Sequence, residues 1–153
     1  MTSLQHKHLT TLTLDVDFAG VITIGDTPAG MRRIAAVTGG TFTGERLNGL
    51  VRPGTDWVIN RPDGVMVIDV RLTLETTDGA LIYLTYQGRF LAPSKAMARF
   101  AKGALLDASE YSFAIIAKFE SGDDRYQWLN NVVAVGTGEQ TLAGPVYAIF
   151  EIG

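Results

Sequence analysis

The sequence predicts an all-β protein: an antiparallel β-barrel of the lipocalin-like or calycin-like type, with roughly eight to ten strands and one short helix. Runs of alternating apolar and polar residues recur, with turn signals every ~8–12 residues. Asp78–Gly79 is a strong hairpin signal between two such runs, Val65–Thr77 and Ala80–Leu91. One helical segment is too little for a parallel α/β sheet, and closing the sheet removes exposed edges. We therefore expect residues 1–153 to form one barrel domain.

The first half of the chain reads as a series of short strands. His8–Phe18 alternates, which predicts a half-buried strand with its apolar side toward the core. The apolar side carries Leu12, Leu14, Val16 and Phe18. The next strands are predicted at Gly20–Ile24, Arg32–Thr38, Leu47–Val51 and Trp57–Asn60, with turns at the sequences GDTPAG and RPGTD.

The glycine-rich stretch Gly39–Gly44 resembles a phosphate loop only superficially. A phosphate loop needs a helix N-terminus behind it, usually with a Lys followed by Ser or Thr, and neither follows here. We predict a bulge or a sharp bend in a strand.

The second half contains the one predicted helix, Ala92–Leu106, with Ser94 as a candidate N-cap. It either closes one end of the barrel or forms a lid over a pocket. Tyr111–Glu120 alternates strictly and is predicted as a strand. Ser121–Asn130 reads as a turn with one helical turn, and Val132–Gly136 and Val146–Ile152 are predicted as the last strands.

Composition excludes several classes of function. The net charge is −3 with no basic run, so nucleic acid and anionic membranes are not expected partners. The chain has no cysteine, which excludes disulfides and thiolate chemistry. His6 and His8 read as solvated residues rather than metal ligands, so we expect no metal and no cofactor. No signal segment or membrane span is evident, which favours the cytoplasm.

The candidate catalytic residues lie on the polar face of the central hairpin. A two-residue turn places Arg71 opposite Tyr86 and Asp69 opposite Gly88. If this face points inward, Asp69 or Glu120 moves a proton next to a carbonyl, while Arg71 and Tyr86 stabilise the oxyanion. The alternative is an ion pair that fixes the register or faces solvent. A three-residue loop would instead place Arg71 beside Tyr83 or Thr85, so Tyr83 is a further candidate.

Aromatic residues supply the candidate substrate-binding positions. Trp57 either plugs one end of the core or forms an apolar wall of a pocket. Tyr126 and Trp128 stand beside Arg125 in the SGDDRYQWLN block. They wall a pocket for a ring, or they form a corner plug or a subunit contact. We favour a structural or interface role for Trp128 and leave Tyr126 open.

Several motifs together resemble the bacterial and fungal family known as domain of unknown function 3237. These are GMRRIAAVTGGTFTG, VRPGTDW, DGVMVIDVRLTLETTDGALIYLTYQG, FESGDDRYQWLN and VVAVGTG, spread over about Gly30–Gly138. The resemblance implies a lipocalin-sized antiparallel barrel that self-associates. Relatives tend to carry Tyr-Phe-Arg-Thr where this chain reads Ser112–Ile115, so the resemblance implies a more apolar site than theirs.

Three hypotheses for function follow from these patterns. The first is a cofactor-independent lyase, isomerase or cyclase acting on a small apolar, ring-containing carbonyl compound inside the barrel. The second is a carrier for a hydrophobic small molecule, and the third is a structural oligomer with a packed interior. An apolar content of 46% on a short barrel also predicts a homo-oligomer.

Overall fold

A computed structural model describes residues 2–153. In this part of the chain ten strands are joined by short turns, one α-helix and two 3₁₀ helices. The strands are β1 (His6–Val16), β2 (Ile22–Thr27), β3 (Gly30–Thr43), β4 (Gly49–Val51), β5 (Gly54–Asn60), β6 (Met66–Thr76), β7 (Leu81–Leu91), β8 (Ser112–Glu120), β9 (Ala134–Gln140) and β10 (Pro145–Ile152). The helix α1 spans Ser94–Ala101, and the 3₁₀ helices span Ala108–Glu110 and Asp124–Asn131.

The sheet closes on itself, which confirms the predicted antiparallel barrel. Strands β6 to β10 pair in chain order, β10 pairs with β1, and β1 pairs with β3. Strand β5 completes the ring between β3 and β6, while β4 bridges the same two strands further along and β2 adds to the edge of β3. The result is a closed eight-stranded barrel with two extra strands.

Alternation along each strand separates the core from the surface. On β6 and β8 every second side chain is buried, because successive side chains of a strand point to opposite faces. The buried apolar side chains on these two strands are Met66, Ile68, Val70, Leu72, Leu74, Phe113, Ile115, Ala117 and Phe119. These side chains join one continuous hydrophobic cluster that includes Leu12 and Leu14, two residues of the predicted apolar side of β1.

Gly40 allows β1 and β3 to cross closely. A Cβ at this position would lie 2.1 Å from the carbonyl oxygen of Thr13 on β1, and its φ is +148°. Nearby, the register of β1 against β3 shifts between Asp15 and Val16. The glycine-rich stretch therefore continues the long strand β3, and the irregularity lies at Thr38, just before the stretch for which a bulge was predicted.

The central hairpin has a different turn from the one predicted. Thr76 and Ala80 close a three-residue loop: the Thr76 N–H donates to the Ala80 carbonyl at 2.9 Å. Of the loop residues only Gly79 has a positive φ, +89°, whereas a type I′ turn needs two. Arg71 therefore pairs with Thr85 and Val70 with Tyr86, so the predicted pairing of Arg71 with Tyr86 is wrong by one residue.

Helix α1 packs over one end of the barrel through Ala96 and Phe100. Pro93, not Ser94, occupies the N-cap position, so the predicted side-chain cap is wrong. Arg99 forms an ion pair with Glu110, which ties the helix to the first 3₁₀ helix. Among residues 2–153, no helix has both the length and the apolar character needed to cross a membrane.

Candidate active site

A cavity of about 450 Å³ lies inside the barrel at the end covered by α1. Its wall is mostly apolar and comes from β1, β3, β5, β6, β7, β8 and β10. Its mouth is formed by the β1–β2 connection, the segment after α1 and the β9–β10 turn. A cavity of this size falls in the usual range for a small-molecule site and argues against a completely packed interior.

Two charged residues, Arg33 and Asp56, interrupt the apolar wall. Alternation along β3 and β5 places them on the inner face with Ala35 and Val58. The Arg33 guanidinium donates to the Asn60 side chain and contacts the Met66 sulfur at 4.0 Å. Its Nε atom is the one buried side-chain nitrogen or oxygen in residues 2–153 that lacks a hydrogen-bond partner.

Asp56 has the properties expected of a proton-transfer group. Burial raises the pKa of its carboxyl from 3.8 to about 7, and the charge of Asp69 adds to this effect. A backbone hydrogen bond from the Asp69 N–H, at 3.2 Å from Oδ1, and the nearby Arg33 charge act in the opposite direction. Near neutral pH the carboxyl is thus divided between its acid and carboxylate forms.

Two buried tyrosines, Tyr86 and Tyr147, stand beside this carboxyl. Their ring centroids are 5.0 Å apart in an edge-to-face arrangement, and Tyr147 also packs edge-on against Phe113. Burial raises the pKa of both phenols, and the charge of Asp56 contributes to each shift. Both hydroxyls therefore stay protonated across the physiological range and can act as hydrogen-bond donors.

The predicted catalytic cluster of Asp69, Arg71, Tyr86 and Glu120 does not form. Tyr86 points into the barrel, whereas Asp69, Arg71 and Glu120 belong to the opposite face of their strands. Arg71 and Glu120 are exposed, and Asp69 is half-buried. The three-residue turn separates Tyr86 from Arg71, because a slip of one residue moves a side chain to the other face of the sheet. The polar face of the hairpin points outward because the apolar face of the same strands fills the core, so the inward orientation considered for it is wrong.

The four predicted substrate-binding aromatics also lie away from the cavity. Trp57 and Tyr83 are exposed on the outer surface, so Trp57 neither plugs the core nor lines the cavity. Tyr126 is buried at the central hairpin turn, where its hydroxyl donates to the Asp78 carboxylate at 2.9 Å. Trp128 stacks under the Arg46 guanidinium at 4.4 Å. Tyr126 is thus a corner plug, which was one of the three alternatives.

Three residues of the cavity, Arg33, Asp56 and Tyr147, are absent from the sequence-based candidates. Arg33 and Tyr147 fall within predicted strands, and each alternates in phase with apolar residues. A charged residue on the apolar face of a strand is the signal that could have identified Arg33. Asp56 falls in the predicted turn before Trp57, because the predicted strand begins three residues later than β5 does.

The missing family arginine has no effect on the cavity. Ala114, which stands in its place, is exposed on the outer face of β8. The expectation of a more apolar site on this ground is therefore wrong. Among residues 2–153, no group of three or more His, Cys, Asp or Glu side chains is placed to hold a metal ion.

Comparison with known proteins places the chain in a family. A UPF0311 protein of Rhodopseudomonas palustris is 31% identical over 136 residues, 88% of each chain. Crystal structures of a protein of unknown function from the same species and of a beta-barrel like protein from Acinetobacter baumannii superpose with TM-scores of 0.94 and 0.85, at 28% and 35% identity. The first alignment covers 100% of both chains, the second 100% of this chain and 98% of the other.

A more distant relative is an enzyme. The hydroalkoxylation enzyme of Penicillium herquei is 28% identical over 109 residues, 71% of this chain and 58% of its own length. A crystal structure of an enzyme from the same fungus shares the fold, with a TM-score of 0.74 at 21% identity over 100% of this chain and 97% of the other. Residues 4–152 match the family described as "Protein of unknown function (DUF3237)", and the chain belongs to that family.

Proposed function

We propose that this protein is a cofactor-independent enzyme that moves a proton at carbon in a small apolar, ring-containing carbonyl compound bound inside the barrel. The observation that carries the proposal is the Asp56 carboxyl, with a pKa of about 7, in a largely apolar cavity. A general acid or base works best when its pKa lies near the working pH. Asp56 takes the role that the sequence suggested for Asp69.

Asp56 transfers the proton in both directions. As a carboxylate it removes a proton from the carbon next to the carbonyl, and the C–H electron pair moves toward the carbonyl oxygen to form an enolate. As an acid it returns the proton to a different carbon of the same molecule. The reaction is a net isomerisation, so it needs no external oxidant or reductant.

Arg33 and the tyrosines stabilise the oxygen that gains charge. The unpartnered Nε–H of Arg33 donates to this oxygen, and a phenol of Tyr86 or Tyr147 supplies a second donor. Donors fixed in advance in a dry site stabilise a developing oxyanion far more than the same donors in water. The apolar wall and the aromatic edges of Phe100 and Phe113 accommodate the ring.

The distant fungal relative supports chemistry of this type. Hydroalkoxylation adds an O–H group across a carbon–carbon double bond, which forms one C–O bond and one C–H bond. Such a step also balances without a cofactor, because one group can accept the hydroxyl proton and deliver a proton to carbon. For this chain we assign both roles to Asp56, which makes ring closure by an internal hydroxyl one form of the proposed activity.

Deuterium exchange tests the proposal without knowledge of the natural substrate. A panel of aromatic ketones and allylphenols, including 1-tetralone and 2-allylphenol, is incubated with the protein in D₂O and followed by NMR and mass spectrometry. We expect exchange next to the carbonyl, or ring closure, with the wild type. Asp56→Asn keeps the shape of the side chain and an oxygen that accepts from the Asp69 N–H, but its amide cannot transfer the proton. The variant should therefore lower the rate of exchange or ring closure by about 100- to 10,000-fold.

Asp69→Asn is the matched control, because it removes a neighbouring carboxylate on the outer face. The Asp69→Asn variant should keep its turnover. The acidic limb of its pH–rate profile should move to lower pH, because the negative charge of Asp69, which raises the pKa of Asp56 in the wild type, is gone. Full activity in a folded Asp56→Asn protein would contradict the proposal.

A carrier for a hydrophobic small molecule is the second candidate. The mostly apolar wall of the cavity favours it. Tight binding of members of the same panel, with each ligand recovered unchanged and without deuterium, would identify a carrier.

A further inference from the structure

The mouth of the cavity carries large apolar side chains in the open. Phe18, Leu105 and Leu142 line the cavity while 54%, 51% and 81% of their surfaces are exposed. They come from three different connections: the β1–β2 connection, the segment after α1 and the β9–β10 turn. We call these three residues the apolar rim.

Hydrogen bonds hold the apolar rim in place. In the β9–β10 turn, the backbone N–H and the hydroxyl of Thr141 both donate to the Gly144 carbonyl, at 3.0 and 2.6 Å. The Val16 N–H donates to the Ala143 carbonyl at 2.9 Å, which ties this turn to the end of β1, just before Phe18. The chain reaches Leu105 through Gly103, whose N–H donates to the Phe100 carbonyl at 2.9 Å. These hydrogen bonds constrain the backbone next to each rim residue.

The polar groups of the cavity and the apolar rim belong to different parts of its lining. Arg33, Asp56 and the two tyrosine hydroxyls are contributed by strands, whereas the rim residues come from the connections at the mouth. A ligand that binds these polar groups and is too large for a cavity of about 450 Å³ leaves through the mouth. Whatever part of it leaves the cavity then meets the apolar rim before it meets water.

We infer that the ligand of this cavity is two-ended: an oxygenated ring at Asp56 and Arg33, and an aliphatic chain that leaves the mouth across Phe18, Leu105 and Leu142. This inference rests on the proposed function for the position of the ring, and it adds the substrate class. The rim is exposed in the free protein. The aliphatic part of the ligand covers it when the ligand binds. Burying each methylene of that chain is favourable, so the rim contributes affinity and selects long-chain substrates.

Binding of unreactive 4-alkylphenols, from 4-ethylphenol to 4-octylphenol, tests the inference by calorimetry. We expect the wild type to bind each longer homologue about three- to fourfold more tightly per methylene. Leu142→Ser and Phe18→Ser should bind 4-ethylphenol as the wild type does but lose this gain for the longest homologues. Leu50→Ser is the control, because Leu50 is also exposed but lies on β4 outside the cavity.

Three results would overturn the inference. One is that the affinity for the 4-alkylphenols stops increasing at the same alkyl length in the wild type and in the rim variants. Another is a change of molecular mass in the rim variants by light scattering, since the rim would then be a subunit contact. The third is no binding of any homologue to the wild type. The deuterium-exchange test of Asp56 does not depend on these measurements, so failure of the chain-binding inference and failure of the proposed catalysis can be told apart.

Discussion

The carboxyl of Asp56 and the guanidinium of Arg33 share one cavity wall without being locked to each other. Arg33 donates to Asn60, and Asp56 accepts from the backbone N–H of Asp69. Two buried charges that only stabilised the barrel would gain most from a direct, fully hydrogen-bonded ion pair. The observed arrangement instead leaves the Arg33 Nε–H as a donor and the Asp56 carboxyl as an acceptor for a bound ligand.

The buried carboxyl predicts a specific dependence of stability on pH. The folded pKa of Asp56 is about 7, above its unfolded value, so the folded state binds this proton more tightly. Deprotonation therefore favours the unfolded chain, and stability falls as pH rises between the two pKa values. For Asp56 alone we expect a loss of at most about 4 kcal/mol from about pH 4 to about pH 8.

Urea unfolding of the wild type and Asp56→Asn at several pH values measures this effect. The difference between the two proteins isolates Asp56, because the other titrating groups are common to both. Asp56→Asn should gain stability relative to the wild type as pH rises, and the difference should level off above about pH 8. A difference that stays constant over this range would show that the carboxyl is not held at a raised pKa.

The residues of the cavity show where reasoning from sequence was successful and where it was not. Tyr86 is a candidate from the sequence that does line the cavity, but its neighbours there differ from the predicted ones. Its partners Arg33, Asp56 and Tyr147 lie far from it in the sequence, and only closure of the barrel brings the four together. Local alternation can assign a side chain to the inner or outer face, but it cannot say which inner residues meet across the barrel.

At the scale of elements, the bounds of the strands were predicted better than the register in which the strands pair. The bounds of the central hairpin were correct within one or two residues, at 66–76 and 81–91. The register depends on the length of the turn. The Asp-Gly sequence suits both a two-residue loop and a three-residue loop with glycine in the left-handed region. Hydrogen bonds to Asp78 from Thr76 and from Tyr126, 48 residues away, accompany the longer loop. The contact with Tyr126 cannot be read from the hairpin sequence.

The crossing of β1 and β3 gives a prediction for one element. Gly40→Ala introduces a Cβ that would lie 2.1 Å from the Thr13 carbonyl oxygen, and it forces a side chain into a positive φ. Because both strands belong to the closed ring, neither moves without disturbing other pairings. We expect a loss of more than about 3 kcal/mol in the free energy of unfolding, measured by urea denaturation.

Gly64→Ala is the matched control for the backbone strain. Gly64 also has a positive φ, +88°, but a Cβ there would meet no atom within 4 Å. We expect it to cost only about 1–2 kcal/mol, the usual penalty for a left-handed residue with a side chain. Equal losses in the two variants would mean that the close approach of β1 to β3 contributes nothing.

At the scale of the whole molecule, one structural feature explains both the fold and the cavity. Closure of eight strands gives an interior just wide enough for side chains or one small ligand. Large side chains such as Phe42, Leu47 and Leu74 fill part of the interior, whereas the end under α1 remains open enough for a cavity. The alternating strands predicted the barrel, but the distribution of large side chains along its axis decided where the cavity lies.

The outer surface has an apolar area separate from the mouth. Tyr83, Ile116 and Val133 line a groove of about 390 Å³ on the outside of β7, β8 and the start of β9. Ile116 and Val133 expose 65% and 63% of their surfaces. An exposed group of large apolar residues is typical of a protein–protein contact, and a second copy of the chain brings an identical surface.

The expected homo-oligomer should therefore form through this groove. Sedimentation equilibrium or light scattering of the wild type over a wide concentration range should give a mass above that of one 16.5 kDa chain. Ile116→Asp should reduce the mass toward that of the monomer, because the new carboxylate would have to be desolvated at the contact. Leu50→Asp, at another exposed position, should leave the mass unchanged. A wild-type protein that stays monomeric at every concentration would rule out the oligomer, and a mass insensitive to Ile116→Asp would place the contact elsewhere.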